Sequence, residues 1–270
     1  MYDYIKIEFK RAFNNVYFYI AFAVAIGICI WHFIENAWPL RRYIYEGYYP
    51  LSAFTKWIGG DNASLQPTLY YLIIPILCAI PYGRSFYLDV KSGFIVQMIT
   101  RGEKKLYIAS KFICSFVMGA VTSTVPLLFD FILTNMVLPA VIPQRGTGLF
   151  PIVDNMIMSE LFYTHPYIYV ALYLLMDALF FGLFNMIALW AVSFVNNGFW
   201  IVLMPFLSYM FIFSILQFIN EERYAPMFFL RPSQPFQSEI GIVVIEFIVL
   251  ILLNVFFFIW YRNREQINYE

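Results

Sequence analysis

Residues 178–220, ALFFGLFNMIALWAVSFVNNGFWIVLMPFLSYMFIFSILQFIN, contain no charged side chain. A hydrocarbon core of roughly 30 Å is crossed by about 20 apolar helical residues, so this run is too long for one crossing and must fold back on itself. Asn196-Asn197-Gly198 supplies the turn. It divides the run between two spans, 167–195 and 199–219. Outward from this hairpin, four more uncharged or nearly uncharged runs reach spanning length: 16–34, 63–83 with Pro75 and Pro81, 112–138 with Pro126 and Asp130, and 240–261 with Glu246 near its start. The expected fold is an all-α membrane protein, one domain over residues 1–270 with six transmembrane helices.

Composition leads to the same class. The chain is 61% hydrophobic and 13% charged, where a soluble domain carries about 25% charged residues. That much apolar surface has no place to go but lipid. The formal net charge of zero gives no reason to expect a nucleic-acid partner. Cys29, Cys78 and Cys114 each fall inside an apolar run and read as small buried hydrophobes, not as a disulfide, metal or cofactor set.

The cations divide unequally between the two faces. An even number of spans puts both termini on one side, together with Lys6, Lys10, Arg11, Arg84, Lys91, Arg101, Lys104, Lys105, Lys111, Arg262 and Arg264. The opposite side keeps Arg41, Arg42, Lys56, Arg145, Arg223 and Arg231. The positive-inside bias therefore makes both termini cytoplasmic. The basic start and long apolar run of the N-terminus, with no small-x-small site after it, are expected to be retained and not cleaved as a signal peptide. Within 1–15, Tyr2, Ile5, Phe9 and Phe13 recur at helical spacing with Asp3, Lys6 and Lys10 on other faces. The segment should form an amphipathic helix in the inner interface, either a plain anchor or one that also meets a cytosolic partner.

Outside the bilayer, 35–62 and 139–166 are rich in Tyr, Pro, Gly and Trp and read as compact caps. In 220–239, Pro226, Pro232 and Pro235 interrupt a short apolar core; the segment is either a set of short interfacial or re-entrant helices or an exterior loop. The one sizeable cytosolic loop is 84–111. Within it, Asp89 and Lys91 precede Gly93, residues 94–99 are apolar apart from Gln97, and Thr100-Arg101-Gly102-Glu103-Lys104-Lys105 follows before Lys111. This order favours a short amphipathic helix, broken at Gly102, that shows charge to a partner.

In these features the chain resembles the type-2 ABC transporter permeases, over essentially its whole length. Members of that family have an interfacial N-terminal helix, six spans, and a coupling helix between the second and third. In the coupling loop an acidic residue, a Gly, apolar residues, a Thr/Ser-Pro/Arg basic turn and a Lys at the head of the third span recur in order. The matching positions are Asp89, Gly93, residues 94–99, Thr100-Arg101, Lys104-Lys105 and Lys111. Asp stands where Glu is commoner, and the turn lacks a Pro. The resemblance implies a bacterial plasma-membrane subunit that pairs with a second copy or homologue and docks on separate ATP-binding subunits. Its coupling residues would be Asp89, Lys91, Gly93, Arg101, Glu103, Lys104 and Lys105. The absence of G-x-x-x-x-G-K-[ST] agrees with ATP being bound by the partner and with a chain that is not itself an enzyme. The family exports amphipathic substrates such as peptides, antimicrobial peptides among them, drugs or lipids.

Ionisable side chains within spans are costly enough to mark function. Asp177 falls near the midplane with Asn185 two turns further in, whereas Asp130 and Glu246 are expected nearer the outer surface, within reach of water. Asp177 serves either as a helix–helix hydrogen bond or, with Asn185, Asp130 and Glu246, as part of the substrate path. His32 and Glu35 are expected to pair at the outer end of the first span. An alternative function is an ion-coupled secondary transporter using Asp130, Asp177 and Glu246, but the inverted repeats such folds carry are not visible. A membrane-embedded enzyme is disfavoured because only His32 and His165 offer imidazoles and no H-E-x-x-H or G-x-S-x-G occurs.

Overall fold

The computed structural model describes residues 2–44, 51–145, 150, 152–153 and 155–263, with the side chain of Arg101 left aside. Arg264 of the charge count and parts of the two caps lie outside the described residues. The chain is helical, with no strand among the described residues. In order it forms α1 (Tyr2–Phe13), α2 (Val16–His32), α3 (Ala53–Lys56), α4 (Leu65–Ala79), α5 (Ser85–Lys91), α6 (Phe94–Arg101), α7 (Lys104–Val137), α8 (Ser159–Thr164), α9 (Pro166–Ala191), α10 (Gly198–Phe218), α11 (Pro226–Phe229) and α12 (Ile240–Asn263). A π turn, Phe33–Ala37, and a 3-10 turn, Trp38–Tyr43, prolong α2.

Among the described residues five helices are long and apolar enough to cross a membrane: Val16–Tyr43, Lys104–Val137, Pro166–Ala191, Gly198–Phe218 and Ile240–Asn263. The run expected to span over 63–83 holds a helix of 15 residues, about 22 Å at 1.5 Å per residue, followed by a turn in which the Gly83 amide bonds the Ala79 carbonyl at 2.7 Å. Two boundaries move outward. The first helix continues past residue 34 through its π and 3-10 turns. The third begins at Lys104, well before residue 112, and its 34 residues extend about 51 Å, so one end projects beyond the hydrocarbon. Charge marks where a chain enters lipid; it does not mark where a helix begins. The expected hairpin turn forms at Asn197, whose side chain accepts from the Phe199 amide at 2.9 Å and caps α10.

Helices α7 and α9 form the centre of the bundle. They approach closely because Gly119 and Gly182 face each other's helices: a β-carbon on Gly119 would stand 2.7 Å from the Phe181 carbonyl oxygen. In lipid, such close backbone approach by small residues replaces the hydrophobic drive that holds soluble helices together. Polar bonds reinforce the pair. Asn185 donates to the Ser115 carbonyl at 2.7 Å and Ser115 Oγ to the Asn185 carbonyl at 3.2 Å. Tyr70 ties α4 to the Ser123 carbonyl of α7 at 2.5 Å, Tyr209 ties α10 to the Tyr71 carbonyl at 3.0 Å, and Cys78 donates to the Gly119 carbonyl at 3.3 Å. All three cysteines are free and buried. By contrast, α10 buries only Ile201, Pro205 and Tyr209, and α12 only Val243, Leu250, Asn254 and Tyr261.

The interhelical segments at one end of the bundle pack into a single layer. Ser52 Oγ donates to the Val141 carbonyl, the Ser233 amide to the Gly59 carbonyl, and Gln234 exchanges two hydrogen bonds with the backbone of Ile157. Residues 220–239 contain a 3-10 turn, Glu222–Tyr224, and α11, with Phe229 and Leu230 buried. Residues 224–234 are buried apart from the half-buried Phe228, whereas Asn220, Arg223, Phe236, Gln237 and Glu239 are exposed.

Candidate functional site

At the opposite end, α1 lies across the start of α7. Its apolar stripe is half-exposed, with Tyr2 and Phe13 outward, while Glu8 and Ala12 are buried. Ile5 and Phe9 of the stripe are half-buried, with Phe9 packed beside Ala12, so only part of the apolar face turns outward as an interfacial helix requires. The side turned to the protein is centred on Glu8 and Ala12.

Glu8 and Asp89 meet Arg11 and Lys111 in a buried network. The Lys111 ammonium sits 2.9 Å from Glu8 Oε2 and 2.6 Å from Asp89 Oδ2, and the side chains of Lys111 and Glu8 are both 1% exposed. Arg11 clasps Asp89 through both nitrogens at 2.5 and 3.0 Å and reaches Glu8 at 3.1 Å. Tyr82 donates to Glu8 at 2.6 Å and Tyr107 to Asp89 at 2.6 Å. Two cations face two carboxylates, so the network is neutral as a whole. A buried charge set persists only when paired and hydrogen-bonded in this way. It joins α1, the turn after α4, α5 and α7.

Asp89 is accordingly an internal residue, 1% exposed. Burial pushes its carboxyl up, but the Arg11 hydrogen bonds and the charges of Lys111 outweigh it and hold the carboxyl below its ordinary range. A depressed carboxylate stabilises the fold above its unfolded pKa of about 4 and loses that contribution as pH falls through the folded value. The attachment of α1 should therefore be insensitive between pH 8 and 5, as round figures about the neutral range, and weaken only below about pH 4. Amide exchange across Tyr2–Phe13 as a function of pH measures it, and loosening that begins near pH 6 would contradict it.

Beyond this anchor α5 runs on to α6. Gly93 joins them at φ 71°, the left-handed conformation that a side chain strains. Helix α6 turns Ile95 inward and leaves Val96, Gln97 and Thr100 exposed, and Lys91, Glu103 and Lys105 are exposed on either side of it. Arg101 ends α6 and Lys104 begins α7. Gly102 sits directly under Tyr4 of α1, where any β-carbon would collide with the Tyr4 hydroxyl. The Arg11 guanidinium stacks over Phe94 at 5.0 Å. Of the seven residues expected to meet a partner, Lys91, Glu103 and Lys105 are surface groups, Gly93 is a turn, and Asp89 belongs to the anchor behind them.

The four residues assigned to a path are not brought together: among the described residues no hydrogen bond or ion pair joins any two of them. Asp177 is buried and accepts from the Tyr71 hydroxyl at 3.0 Å. Asn185 is the α7–α9 tie described above. Asp130 is fully buried, not water-accessible as expected. It accepts from the Ile58 amide at 2.6 Å and lies 3.7 Å from His32, whose other nitrogen is 3.3 Å from Asp61. His32 therefore pairs with these aspartates and not with Glu35, which instead accepts from Gln66 at 2.5 Å. Nearby, Arg231 bonds Thr68 at 3.2 Å and the Asp61 carbonyl at 3.4 Å. Asp61, Arg231 and Glu8 are the polar residues that sequence reading missed. Their only advance signal is that each is an ionisable residue close to an apolar run. No family model, curated protein or solved structure matches this chain.

Proposed function

We propose that the chain is the membrane-spanning subunit of an ATP-driven transporter of the type-2 ABC permease class. On this reading α4 with its following turn completes six spans, both termini are cytoplasmic, and 84–111 is the coupling segment. A second copy or a homologue completes the translocation path in a bacterial plasma membrane, ATP is held by separate ATP-binding subunits, and the exported substrate is amphipathic. The observation that carries the reading is the Glu8–Arg11–Asp89–Lys111 network. It ties α5, which leads through Gly93 into the exposed amphipathic α6, to the projecting end of the longest helix, and its Arg11 also stacks over Phe94 of α6. A force applied to α5 and α6 passes through short, buried ionic contacts and cannot be absorbed by a slack loop. Movement of α7 would carry α9 with it through Gly119 and Asn185, which is how a partner's ATP-driven closure becomes a shift between two arrangements of the bundle.

Co-expression with candidate ABC-type ATP-binding subunits from the same genome, with purification through a tag on this chain, tests the reading. The wild-type chain should retain the ATPase and change its turnover. Arg101→Glu, Lys104→Glu and Lys105→Glu together should abolish co-purification while the chain remains monodisperse. Undiminished ATPase binding by the triple variant would overturn the docking role, and no retained ATPase on the wild-type chain would overturn the class.

A further inference from the structure

An open apolar groove runs between α9, α10 and α12. Its volume is about 410 Å³, and Phe184, Trp190, Leu207, Phe211, Leu250 and Leu253 line it, with Ser208 its one hydroxyl. Apolar surface facing lipid needs no explanation. The face of α12 that borders it does. Glu246, Leu250 and Leu253 follow at i, i+4 and i+7 and therefore share one side of the helix. Leu250 and Leu253 line the groove, so Glu246 stands one turn beyond it, toward the start of α12.

The Glu246 Oε2 atom is buried and has no hydrogen-bond partner among the described residues. Helices α9 and α10 contain no Lys, Arg or His, and the one basic residue of α12 is Arg262, more than four turns away. Asn254, one turn past Leu250, spends its amide nitrogen on the Leu183 and Leu250 carbonyls at 3.3 and 2.9 Å, and its oxygen also lacks a donor. The unsatisfied atoms that α12 itself contributes here are thus acceptors, while across the groove the Trp190 indole N–H is a buried donor without a partner among the described residues. A buried carboxyl without a partner either keeps its proton or is paired with a cation, and a bound cation is what would draw out the ionised form.

We infer that the α9–α10–α12 groove binds a lipophilic monocation, its apolar body against Phe211, Leu250 and Leu253 and its positive charge at Glu246. Charge complementarity selects this occupant over a neutral acyl chain, which would gain nothing from the carboxylate, and over an anion, which the carboxylate repels. The site opens sideways to the bilayer, so such a ligand reaches it from lipid. Binding requires neither an ATPase nor transport, so its test is independent of the function proposed above.

The test uses the full chain in lipid nanodiscs, with radiolabelled tetraphenylphosphonium and its same-shaped anion tetraphenylborate as probes. Saturable binding of the cation and none of the anion is expected. Glu246→Gln should weaken the cation at least about tenfold, which corresponds to about 1.4 kcal/mol. Leu253→Trp keeps the carboxylate but fills the groove, and it should also abolish saturable binding; it decides the matter where the first variant proves unstable. Equal binding of both ions, which would make the groove a lipid fissure, overturns the proposal. So does binding that both variants leave unchanged.

Discussion

Replacing Lys111 by Met should destabilise the chain by about 3–5 kcal/mol, the range seen when one member of a buried ion pair is removed. The reason lies in what stays behind. Glu8 and Asp89 would share Arg11 as their sole cation, and the Arg11 side chain is 38% exposed, so water screens its attraction more than that of the buried ammonium. Tyr82 and Tyr107 would still donate to the two carboxylates, yet a hydrogen bond does not cancel a net buried charge. Adding Glu8→Gln to Lys111→Met returns the network to neutrality with Arg11 and Asp89 intact, and it should recover at least half of the loss. The unfolding midpoint of the two variants in detergent measures both effects. A single variant as stable as the wild type would mean that the ammonium is hydrated, and a double variant no better than the single would remove the charge-balance explanation.

Gly119→Leu should be the most damaging single change in the hydrocarbon region. Even the first carbon of the new side chain would lie 2.7 Å from the Phe181 carbonyl oxygen and 2.7 Å from the β-carbon of Asn185. The obstacle is another helix's backbone, so relief comes only from separating α7 and α9. Separation breaks both Asn185–Ser115 bonds. Overpacking alone costs typically about 1–3 kcal/mol, and the broken hydrogen bonds should bring the total above about 3 kcal/mol. The variant should elute as aggregate in size-exclusion chromatography under conditions that keep the wild type monodisperse. Gly241→Leu is the control, because nothing lies within 4 Å of a β-carbon there. Comparable damage from both would point to altered backbone freedom instead of helix contact.

What could be read in advance was the part governed by solvent. Residues 178–220 are too long for one crossing, and Asn196-Asn197-Gly198 is the turn-forming polar stretch in the run that can leave the membrane. Likewise the break at Gly102 and the helix over 94–101 follow from local residue types. What could not be read was the pairing of ionisable groups inside protein. Lys111 meets a carboxylate 103 positions away in the chain, and no periodicity connects them. His32 and Glu35 looked paired because an i, i+3 spacing places side chains together on an α-helix. The π turn that begins at Phe33 changes that register, and His32 faces Asp61 and Asp130 instead. The same limit applies to α1: hydrophobic spacing located its stripe, but the side turned to the protein is centred on Glu8 and Ala12, and no apolar pattern reveals the pairing of Glu8.

The burial of Cys29, Cys78 and Cys114, none more than 1% exposed, has a practical consequence. Thiol reagents find no target on the folded wild-type chain, which makes it a silent background for labelling. A cysteine introduced at Val96, 60% exposed on α6, would be the one reactive position, and a fluorophore there would report what approaches that helix without any native residue having to be removed.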